Sequence, residues 1–368
     1  MNKSNNTLLI IGAFPKIAIY GGIYRSCKLI LDSPHFSDFK LILFDSSQIS
    51  NPPPLFLVRF FLAGARLIRF LFQLLVKRPN AALIFCSDGA SALEKGLMVY
   101  ICKIFRVKTL IFPRAGNLIK QTERSVTFRI LIKHLFSKCS IFFAQGENWK
   151  QFAKEELNLH SSKIKIIRNW TATKDLIEVG SSRKYGNKKT STNFLFVGWL
   201  EKEKGLYEIL KAIKFLHEKN YIFSFTFIGD GRGMKPAIKF ITENGLLEKV
   251  FFKGWVPHNS IKQYYQAADV FVLPSWAEGM PNALIEALSC GLASVVSNVG
   301  MIPNYLVNEK NALIIPPKDS LSLSNAMEKL ILNRRFKINI SKNGYEVANE
   351  YFSSEKGLEL LAKSIKKL

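Results

Sequence analysis

Two glutamates with seven residues between them, Glu278 and Glu286, are the side chains best placed to do chemistry in this sequence. An apolar run ends at Ser275, a loop follows, and a helix is predicted from Asn282 until Gly291 stops it. Asn282 is the predicted N-cap, and the first free N–H groups of the helix suit an anion such as a diphosphate. Both carboxylates can then reach one ligand. Spacing alone fits equally well a solvated loop acid and an acid that complements the helix dipole.

The segments around this pair resemble a known family. Glu278 and Glu286 match the EX7E motif of the retaining glycosyltransferases of family 4, which have the two-domain GT-B fold. The resemblance runs in order from residue 194 to residue 317. Its other parts are a strand-loop segment at 197–205, a glycine turn at 227–232, a nucleobase-side loop at 252–256 and a segment at 297–303.

The resemblance implies a role for each matching residue. Lys204 would supply the cation that offsets charge on the leaving diphosphate, Glu286 would bind the ribose hydroxyls, and Glu278 would bind the donor sugar near its reacting carbon. These three are the expected catalytic residues. The expected donor-binding residues are Gly21, Gly22, Gly198, Arg232, Val256, Gly279, Met280, Pro281 and Asn282.

The sequence departs from the family pattern at two positions that concern phosphate charge. The family has an arginine where Trp199 stands, and Arg232 is the candidate substitute, although a lone arginine in a turn is also typical of a solvated surface. Arg114 takes the place of a histidine near the donor sugar, where it would stabilise phosphate charge or hold a sugar hydroxyl. Residues 20–22, Tyr-Gly-Gly, resemble the glycine loop that faces the diphosphate, and an ordinary turn fits them equally.

No cofactor or metal is expected. The sequence Asp-x-Asp does not occur, the five histidines show no ligand spacing, and the five cysteines form no CxxC pair. The glycines at 229–233 have the wrong spacing for the G-x-G-x-x-G turn of nicotinamide-binding proteins. Lys204 and the helix terminus would therefore do the electrostatic work that a metal does elsewhere.

Short β-branched or aromatic runs alternate with amphipathic helical stretches along the chain, which predicts βα units and parallel sheets. Six strands are predicted in each half. The fold class is therefore α/β, of GT-B type, with two doubly wound Rossmann-like domains facing across a cleft. The predicted divisions are an acceptor-binding domain at 1–170, a linker at 171–192, a nucleotide-sugar-binding domain at 193–345 and, at 346–368, a helix that returns to the first domain.

Positive charge is concentrated in the first half of the chain. Lys and Arg outnumber Asp and Glu by 30 to 11 in residues 1–190, and by 22 to 17 in residues 191–368. Such an excess predicts an anionic partner, which is a membrane surface, a lipid phosphate or a nucleic acid. Nucleic acid is not favoured, because no recognition helix or aromatic RNA-binding pattern occurs. A generally lysine-rich protein would spread the excess over both halves.

A helix predicted at 55–77 combines a basic stripe with bulky apolar residues. Arg59, Arg66 and Arg69 interrupt the apolar run, so no membrane-spanning segment is predicted, and the run at 8–14 is interpreted as a buried strand rather than a signal peptide. One hypothesis is that the stripe rests on anionic lipid, which would make the protein cytoplasmic and peripheral at the inner face of the membrane. The alternative is a helix packed between sheet and helices, with its charged edge in water.

These observations favour a glycosyltransferase that moves a sugar from a nucleotide-sugar donor to a saccharide or lipid-diphosphate-linked acceptor. Retention follows from the resemblance, and departure and attack on one face of the sugar need no enzymic base, which suits a sequence that offers none. Bacterial O-antigen, capsule or another surface polysaccharide is the expected product. The alternatives are a nucleotide-sugar 2-epimerase of the same fold and a non-catalytic basic protein that binds membrane or nucleic acid.

Overall fold

The structure is a computed structural model, and it describes residues 6–14, 21–47, 54–184 and 191–368. The chain divides into two compact units. The first contains Met1–Trp170 and Ser354–Leu368, and the second contains Thr171–Ser353. Each unit is built on its own six-stranded parallel sheet, which confirms the predicted α/β class with two doubly wound units.

The first unit is built from six strands and the helices that join them, as parallel strands require. The strands are β1 (Asn6–Gly12), β2 (Phe39–Asp45), β3 (Ala81–Cys86), β4 (Lys108–Pro113), β5 (Ile141–Ala144) and β6 (Ile164–Ile166). The helices are α1 (Gly22–Leu31), α2 (Phe56–Lys77), α3 (Gly89–Ile104), α4 (Asn117–Arg124), α5 (Val126–Phe136) and α6 (Glu147–Glu155). The strand order in the sheet is β2-β1-β3-β4-β5-β6.

Helices cover both faces of the first sheet, and the central strand β3 is therefore apolar and buried along its whole length. Leu8 and Ile10 belong to one core cluster with Trp170 and with residues of α1. From α2, Phe70 is fully buried and its ring contacts the Phe44 ring of β2 edge-on, at 5.6 Å between centroids. These contacts make the sheet a stable support for the loops at its carboxyl edge.

The second unit repeats this plan. Its strands are β7 (Thr192–Val197), β8 (Phe223–Ile228), β9 (Val250–Phe252), β10 (Val270–Leu273), β11 (Ala293–Ser297) and β12 (Leu313–Ile315). Its helices are α7 (Lys174–Ser181), α8 (Leu206–Glu218), α9 (Met234–Glu243), α10 (His258–Ala267), α11 (Asn282–Ser289), α12 (Ile302–Tyr305), α13 (Ser320–Leu332) and α14 (Arg334–Tyr351). The strand order is β12-β11-β10-β7-β8-β9.

The structure differs from the predicted linker at 171–192. Helix α7 occupies part of that segment and packs against α11 and α14 with Leu176 and Val179 buried. Gly180 of this helix lies where a Cβ would collide with the carbonyl oxygen of Ser289 and the ring of Tyr345. Close packing therefore explains this glycine. Residues 185–190 of the predicted linker lie outside the described residues.

The C-terminal region contains two helices rather than one helix from residue 346. Helix α14 belongs to the second unit, and a last helix, α15 (Ser354–Lys366), belongs to the first. The carbonyl of Phe352 accepts a 3.1 Å hydrogen bond from the Ala172 N–H, and Ser353 forms a parallel bridge with Ala172. Residues 352 and 353 therefore lie between the two helices and contact the backbone of Ala172.

The orientation of α2 corrects the predicted basic stripe. Arg66 binds Glu94 of α3 through Nε and Nη2, at 2.7 and 2.9 Å, and Arg69 Nη2 donates a 2.8 Å hydrogen bond to the Asp45 carbonyl. Much of the apolar side of the helix is instead exposed, as at Phe61, which is 73% exposed. Two of the three arginines therefore serve to attach α2 to its own unit. None of the helices in the described part of the chain is long and apolar enough to cross a bilayer.

Candidate functional site

The loops after the strands of the second sheet meet at one edge, because all its strands are parallel. Apart from Glu286 and Asn282 on α11, the predicted site residues of this unit lie in these loops. The loops concerned are 198–205 after β7, 229–233 after β8, 253–257 after β9 and 274–281 after β10.

Lys204 and Glu278 form an ion pair at this edge. Lys204 Nζ lies 2.6 Å from Glu278 Oε1, and the side chains are 29% and 12% exposed. Ser275 Oγ donates a 2.9 Å hydrogen bond to the same carboxylate oxygen. Gly205 brings the two loops together, because its φ of 76° and its contact with the carbonyl of Pro274 leave no room for a Cβ. A cation and a carboxylate thus stand side by side, where phosphate and sugar hydroxyls could each find a partner.

Glu286 lies on the second turn of α11 and is 4% exposed. The hydroxyl of Tyr265, a fully buried residue of α10, donates a 3.0 Å hydrogen bond to Glu286 Oε2. Removing a carboxylate from water is costly unless such donors replace the lost hydration. The hydrogen bond therefore both stabilises the carboxylate and fixes its direction.

The start of α11 corrects the predicted cap. The capping residue is Pro281, with φ −68° and ψ 127°, and Asn282 is already the first helical residue. A residue inside the first turn cannot reach the N–H groups that a true N-cap side chain reaches. The backbone N–H groups of the first turn, rather than the Asn282 side chain, give this end of the helix its affinity for anions.

The loop after β11 holds the Glu278 loop in place. Gly300 has φ 59°, and a Cβ there would collide with the carbonyl oxygens of Glu278 and Gly279. The Met301 N–H donates a 2.9 Å hydrogen bond to the Gly279 carbonyl, and Met280 is buried. Side chains and backbone in this stretch are thus fixed before any ligand arrives.

Backbone hydrogen bonds join the three loops that begin at Gly198, Gly229 and Lys253. The Gly198 N–H donates to the Ile228 carbonyl at 3.0 Å, and the Gly229 N–H donates to the Gly254 carbonyl at 2.8 Å. Gly229 has φ 130°, and a Cβ on it would overlap the carbonyl of Gly198. Val256, half-buried, follows in the third loop. Gly229 therefore allows its loop to approach the loop that begins at Gly198.

Arg232 is separated from the buried part of the site. Its side chain is 70% exposed, its Nε lies 3.2 Å from Glu201 Oε2, and its backbone N–H binds Glu201 Oε1 at 3.2 Å. Glu201 lies in the loop that also carries Lys204. Arg232 therefore lies next to the loop that carries Lys204, but its guanidinium is paired with the Glu201 carboxylate.

In the first unit, Arg114 lies behind the start of α1, where Gly21 and Gly22 stand. Arg114 Nη2 donates a 2.9 Å hydrogen bond to Ser26 Oγ, and Ser26 Oγ donates to the Gly22 carbonyl at 3.1 Å. The guanidinium lies over the rings of Phe112 and Trp170, each at 5.0 Å. Burial lowers the pKa of Arg114 to about 10, so it stays cationic at neutral pH. Tyr20 of the predicted loop lies outside the described residues.

Cysteine chemistry does not contribute to this site. Burial raises the pKa of each thiol to about 12, so no thiolate nucleophile exists near neutral pH. The residues are Cys27, Cys86, Cys102, Cys139 and Cys290, all free and buried.

Sequence reasoning missed three residues that hold the site together: Ser275, Tyr265 and Arg183. Arg183 donates to three backbone carbonyls, through Nε to Cys290 at 2.7 Å and through Nη1 and Nη2 to Ala268 and Tyr265 at 2.8 Å each. It thereby ties the ends of α10 and α11, the two helices that carry Tyr265 and Glu286. No motif spacing marks Arg183, since its partners are backbone atoms about 80 to 107 positions away.

A comparison with known proteins finds a family that resembles this unit. Residues 181–347 match the family described as glycosyl transferases group 1. Over this range the chain is similar to that family. The matched range covers β7 to β12 and the loops that hold Lys204, Glu278 and Glu286. The prediction that this half of the chain carries the glycosyltransferase motifs is thus confirmed.

Relatives of this domain occur in bacterial polysaccharide synthesis. A UDP-Gal:alpha-D-GlcNAc-diphosphoundecaprenol alpha-1,3-galactosyltransferase of Escherichia coli is 32% identical over 53% of this chain and 51% of its own length. The amylovoran biosynthesis glycosyltransferase AmsK of Erwinia amylovora is 32% identical over 37% of this chain and 35% of its own length. The match thus spans about half, or less, of the length of these curated relatives.

Solved structures share the fold over both units. Sucrose-phosphate synthase from Thermosynechococcus elongatus superimposes with a TM-score of 0.75 over 99% of both chains, at 15% identity. The HepE protein of Anabaena in complex with UDP and glucose gives a TM-score of 0.73 over 98% of this chain and 99% of that one, at 16% identity. At this identity the likeness shows the fold, and it confirms the predicted GT-B class.

Proposed function

We propose that the protein is a retaining glycosyltransferase that transfers a sugar from a nucleotide-sugar donor to a lipid-linked saccharide acceptor. The observation that carries this proposal is the Lys204–Glu278 ion pair beside the start of α11, within the range that is similar to glycosyl transferases group 1. This arrangement puts a cation, a carboxylate and helix N–H groups in one place. A nucleotide sugar presents the complementary groups, a diphosphate and sugar hydroxyls.

Lys204 and the start of α11 bind the donor diphosphate in this proposal. A charged hydrogen bond from a lysine to phosphate is worth about 1.5 to 3 kcal/mol, and its value grows as negative charge builds up on the leaving group. Lys204 must leave Glu278 to make that bond, and Glu278 is then released to accept from hydroxyls of the donor sugar. The ion pair therefore holds both side chains in position until the donor enters.

Glu286 binds the ribose hydroxyls, with its carboxylate oriented by Tyr265. The bond between the anomeric carbon and the diphosphate breaks on one face of the sugar, and the acceptor oxygen forms its new bond on the same face. The acceptor hydroxyl gives its proton to the departing phosphate, so no protein base is required. This route leads to retention of the anomeric configuration and needs no metal when Lys204 offsets the charge.

Uridine nucleotide sugars are the first donors to test. The Escherichia coli relative is named for UDP-Gal and a diphosphoundecaprenol acceptor, and the HepE structure contains UDP and glucose. By this analogy the acceptor is a saccharide on a lipid diphosphate, and the product is a bacterial surface polysaccharide such as O-antigen or capsule. A lipid-linked acceptor would place the protein peripherally at the cytoplasmic face of the membrane.

The test is a binding and turnover assay with the full chain. Labelled UDP-galactose and UDP-glucose are offered with and without an undecaprenyl-diphosphate-linked sugar, in the presence and absence of EDTA. We expect saturable donor binding, transfer only when acceptor is present, and rates unchanged by EDTA. Conversion of the donor sugar without acceptor would support the epimerase instead, and absence of binding to any nucleotide sugar would support the non-catalytic alternative.

A further inference from the structure

The outward side of three neighbouring helices in the first unit is strongly apolar. On α2 the exposed apolar residues recur at helical spacing, and α3 and α5 continue the pattern beside it. The residues, each at least 40% exposed, are Leu57, Phe60, Phe61, Ile68, Phe72, Leu75, Val76, Leu97, Tyr100, Ile104, Val126, Ile130 and Leu131. We refer to this set as the apolar face. Soluble surfaces rarely expose so many large apolar side chains together.

The three helices lie side by side on the same side of the first sheet. They connect strands in consecutive right-handed crossovers, and α3 contacts both α2 and α5. Helix α2 is held down by its buried Phe70 and Leu74 and by the paired hydrogen bonds from Arg66 to Glu94. The apolar face is therefore a fixed feature of the fold, since the helix has no freedom to turn these residues inward.

The chain segment that carries the apolar face is rich in positive charge. Residues 54–140 contain 15 Lys and Arg against three Asp and Glu; Glu94 and Lys95 are buried, and Arg66 and Arg129 are paired with Glu94 and Glu156. Arg59 and Lys77 are exposed near the two ends of α2. A surface that presents apolar rings together with exposed basic residues matches the chemistry of an anionic bilayer, where acyl chains lie beneath negative headgroups.

A basic cavity borders this face at the amino edge of the first sheet. Its volume is about 730 Å³, and its lining includes Arg78, Arg106 and Lys108 together with Leu75 of the apolar face. Lys366 also lines it and is paired with Asp38 at 2.6 Å. The cavity therefore offers cations at the end of a helix whose apolar side faces outward.

We propose that the apolar face is a membrane-docking surface, which inserts into the headgroup region of an anionic bilayer while the basic cavity takes a lipid phosphate. The inference deepens the proposed function, on which it rests, by naming the surface that meets the membrane. It replaces the predicted arginine stripe, because Arg66 and Arg69 are used within the protein. Helix α2, about 33 Å long, lies along the bilayer rather than across it.

The experiment is flotation of the full chain with vesicles of phosphatidylglycerol and phosphatidylcholine in equal parts, and with phosphatidylcholine alone. No sugar donor is present, so docking is measured independently of transfer. The parent is expected to float with the anionic vesicles and to be released as salt rises. The variant Phe60→Ser, Phe61→Ser, Phe72→Ser should lower the partition coefficient at least about a hundredfold, because three large apolar groups are lost from the insertion.

A matched control removes exposed apolar residues of the second unit. Ile222→Ser, Leu247→Ser and Leu332→Ser replace side chains that are 63%, 58% and 66% exposed, and this variant should float like the parent. Equal loss in both triple variants would overturn the assignment of the surface. Circular dichroism and UDP-sugar binding show that each variant is folded, so failure of the proposed function is seen separately.

A second pair of variants tests the basic cavity. Arg78→Gln with Arg106→Gln should weaken binding to anionic vesicles by about 25-fold, since each basic group near such a surface contributes about fivefold. Lys211→Gln with Lys235→Gln removes the same charge from exposed positions of the second unit and should have little effect. A parent that floats with neither vesicle type, or that forms a dimer which the phenylalanine variant dissociates, contradicts the proposal and assigns the face to a second copy.

Discussion

The two units of this protein present their functional features in different ways. In the second unit the charged residues lie at a sheet edge and are held by short contacts, such as the 2.6 Å pair of Lys204 and Glu278. In the first unit most of the charge lies on the surface, with 29 Lys and Arg against 11 Asp and Glu, compared with 23 against 17 in the second. The first unit also carries the apolar face. The functional residues of the second unit are a few groups held at fixed distances, whereas those of the first unit form an extended surface.

This difference has a physical origin. Chemistry at a diphosphate needs atoms placed to within a fraction of an ångström, which demands glycines for close approach and buried partners for each charge. Attachment to an anionic bilayer needs only apolar area and positive charge, and many sequences supply both. Substitutions in the second unit should therefore change transfer without changing vesicle binding, and substitutions on the apolar face should do the reverse.

The largest expected effect is at Glu278. Glu278→Gln should lower the rate of transfer at least about a hundredfold, because a charged contact near the reacting carbon is lost while the shape of the side chain is kept. Binding of UDP to this variant should be unchanged or tighter, since Lys204 is freed from its ion pair. Transfer is measured with a radiolabelled donor, and UDP binding by calorimetry.

The control for Glu278 is Glu309→Gln, which breaks an exposed ion pair with Lys329 in the same unit and should leave transfer unchanged. Vesicle binding should be the same in both variants and in the parent. Full activity in Glu278→Gln, with normal folding, would remove Glu278 from the site. A loss of vesicle binding in that variant would break the separation between the two units.

The sequence was sufficient to predict the parts of this site that depend on spacing. Lys204, Glu278 and Glu286 lie in a matched family domain because their loops and helix follow strands whose apolar runs are explicit. The role of Asn282 as a cap was predicted wrongly, since only backbone dihedral angles distinguish Pro281 as the residue before the first turn. Ser275 and Tyr265 were missed because a hydrogen-bonding hydroxyl has no pattern of its own.

The first unit shows more clearly what could not be predicted from the sequence. A helical wheel places apolar and basic residues on α2, but it does not say which side meets the sheet. Phe70 and Leu74 are buried, whereas Phe61 and Phe72 are exposed, and Arg66 finds an acidic partner on α3. Which side of α2 is buried depends on the residues of neighbouring helices, so it is determined by packing and not by the sequence of the helix alone.

The next largest effect is expected at the glycine that clamps the Glu278 loop. Gly300→Ala places a Cβ against the carbonyl oxygens of Glu278 and Gly279, so the loop must move and transfer should fall by about tenfold or more. Overpacking should also reduce the free energy of unfolding, by about 1 to 3 kcal/mol beyond the cost of the dihedral angle. Gly245→Ala is the matched control, because Gly245 has a similar φ of 66° with no atom near its Cβ position.

Denaturant unfolding and donor kinetics are measured for both glycine variants. A Gly245→Ala variant that is as unstable and as slow as Gly300→Ala would show that the dihedral angle, and not the contact with the Glu278 loop, matters. Vesicle flotation should be unaffected in both variants. A loss of transfer in Gly300→Ala alone, with flotation unchanged, would trace the function of the second unit to a single backbone contact, that between Gly300 and the Glu278 loop.

A smaller effect is expected at Arg183, which we propose as a positioning residue for Glu286. Arg183→Ala should raise the KM for the donor by about tenfold with a lesser change in kcat, because Tyr265 and Glu286 lose their fixed orientation while Lys204 and Glu278 keep theirs. Arg183→Lys should restore part of the affinity through one or two of the three carbonyl contacts. Steady-state kinetics over a range of UDP-sugar concentrations gives both constants.

A residue with a purely structural role provides the comparison for Arg183. Asn343 Nδ2 donates a 2.7 Å hydrogen bond to the Lys310 carbonyl, so Asn343→Ala also removes a side-chain donor to the backbone of the second unit. This variant should be less stable but have the KM of the parent. Equal KM values in the Arg183 and Asn343 variants would mean that Arg183 acts only on stability.

The smallest effect is expected at Arg232. Its side chain is an exposed cation beside the otherwise buried site of the second unit, and in its exposure it resembles the surface cations of the first unit. Its ion pair with Glu201 is 70% exposed on the arginine side, so Arg232→Gln should change the free energy of unfolding by less than about 1 kcal/mol. If Arg232 replaces the missing family arginine, it must leave Glu201 to reach phosphate, and its loss should raise the donor KM by about threefold to tenfold at low salt. Screening should reduce that difference as ionic strength rises. Lys239→Gln breaks a comparable exposed pair with Glu243 on α9 and should leave the KM unchanged at every salt concentration. An Arg232 variant with the same KM as the Lys239 variant would make Arg232 a solvated surface residue and leave Lys204 and the first turn of α11 as the groups that bind the diphosphate.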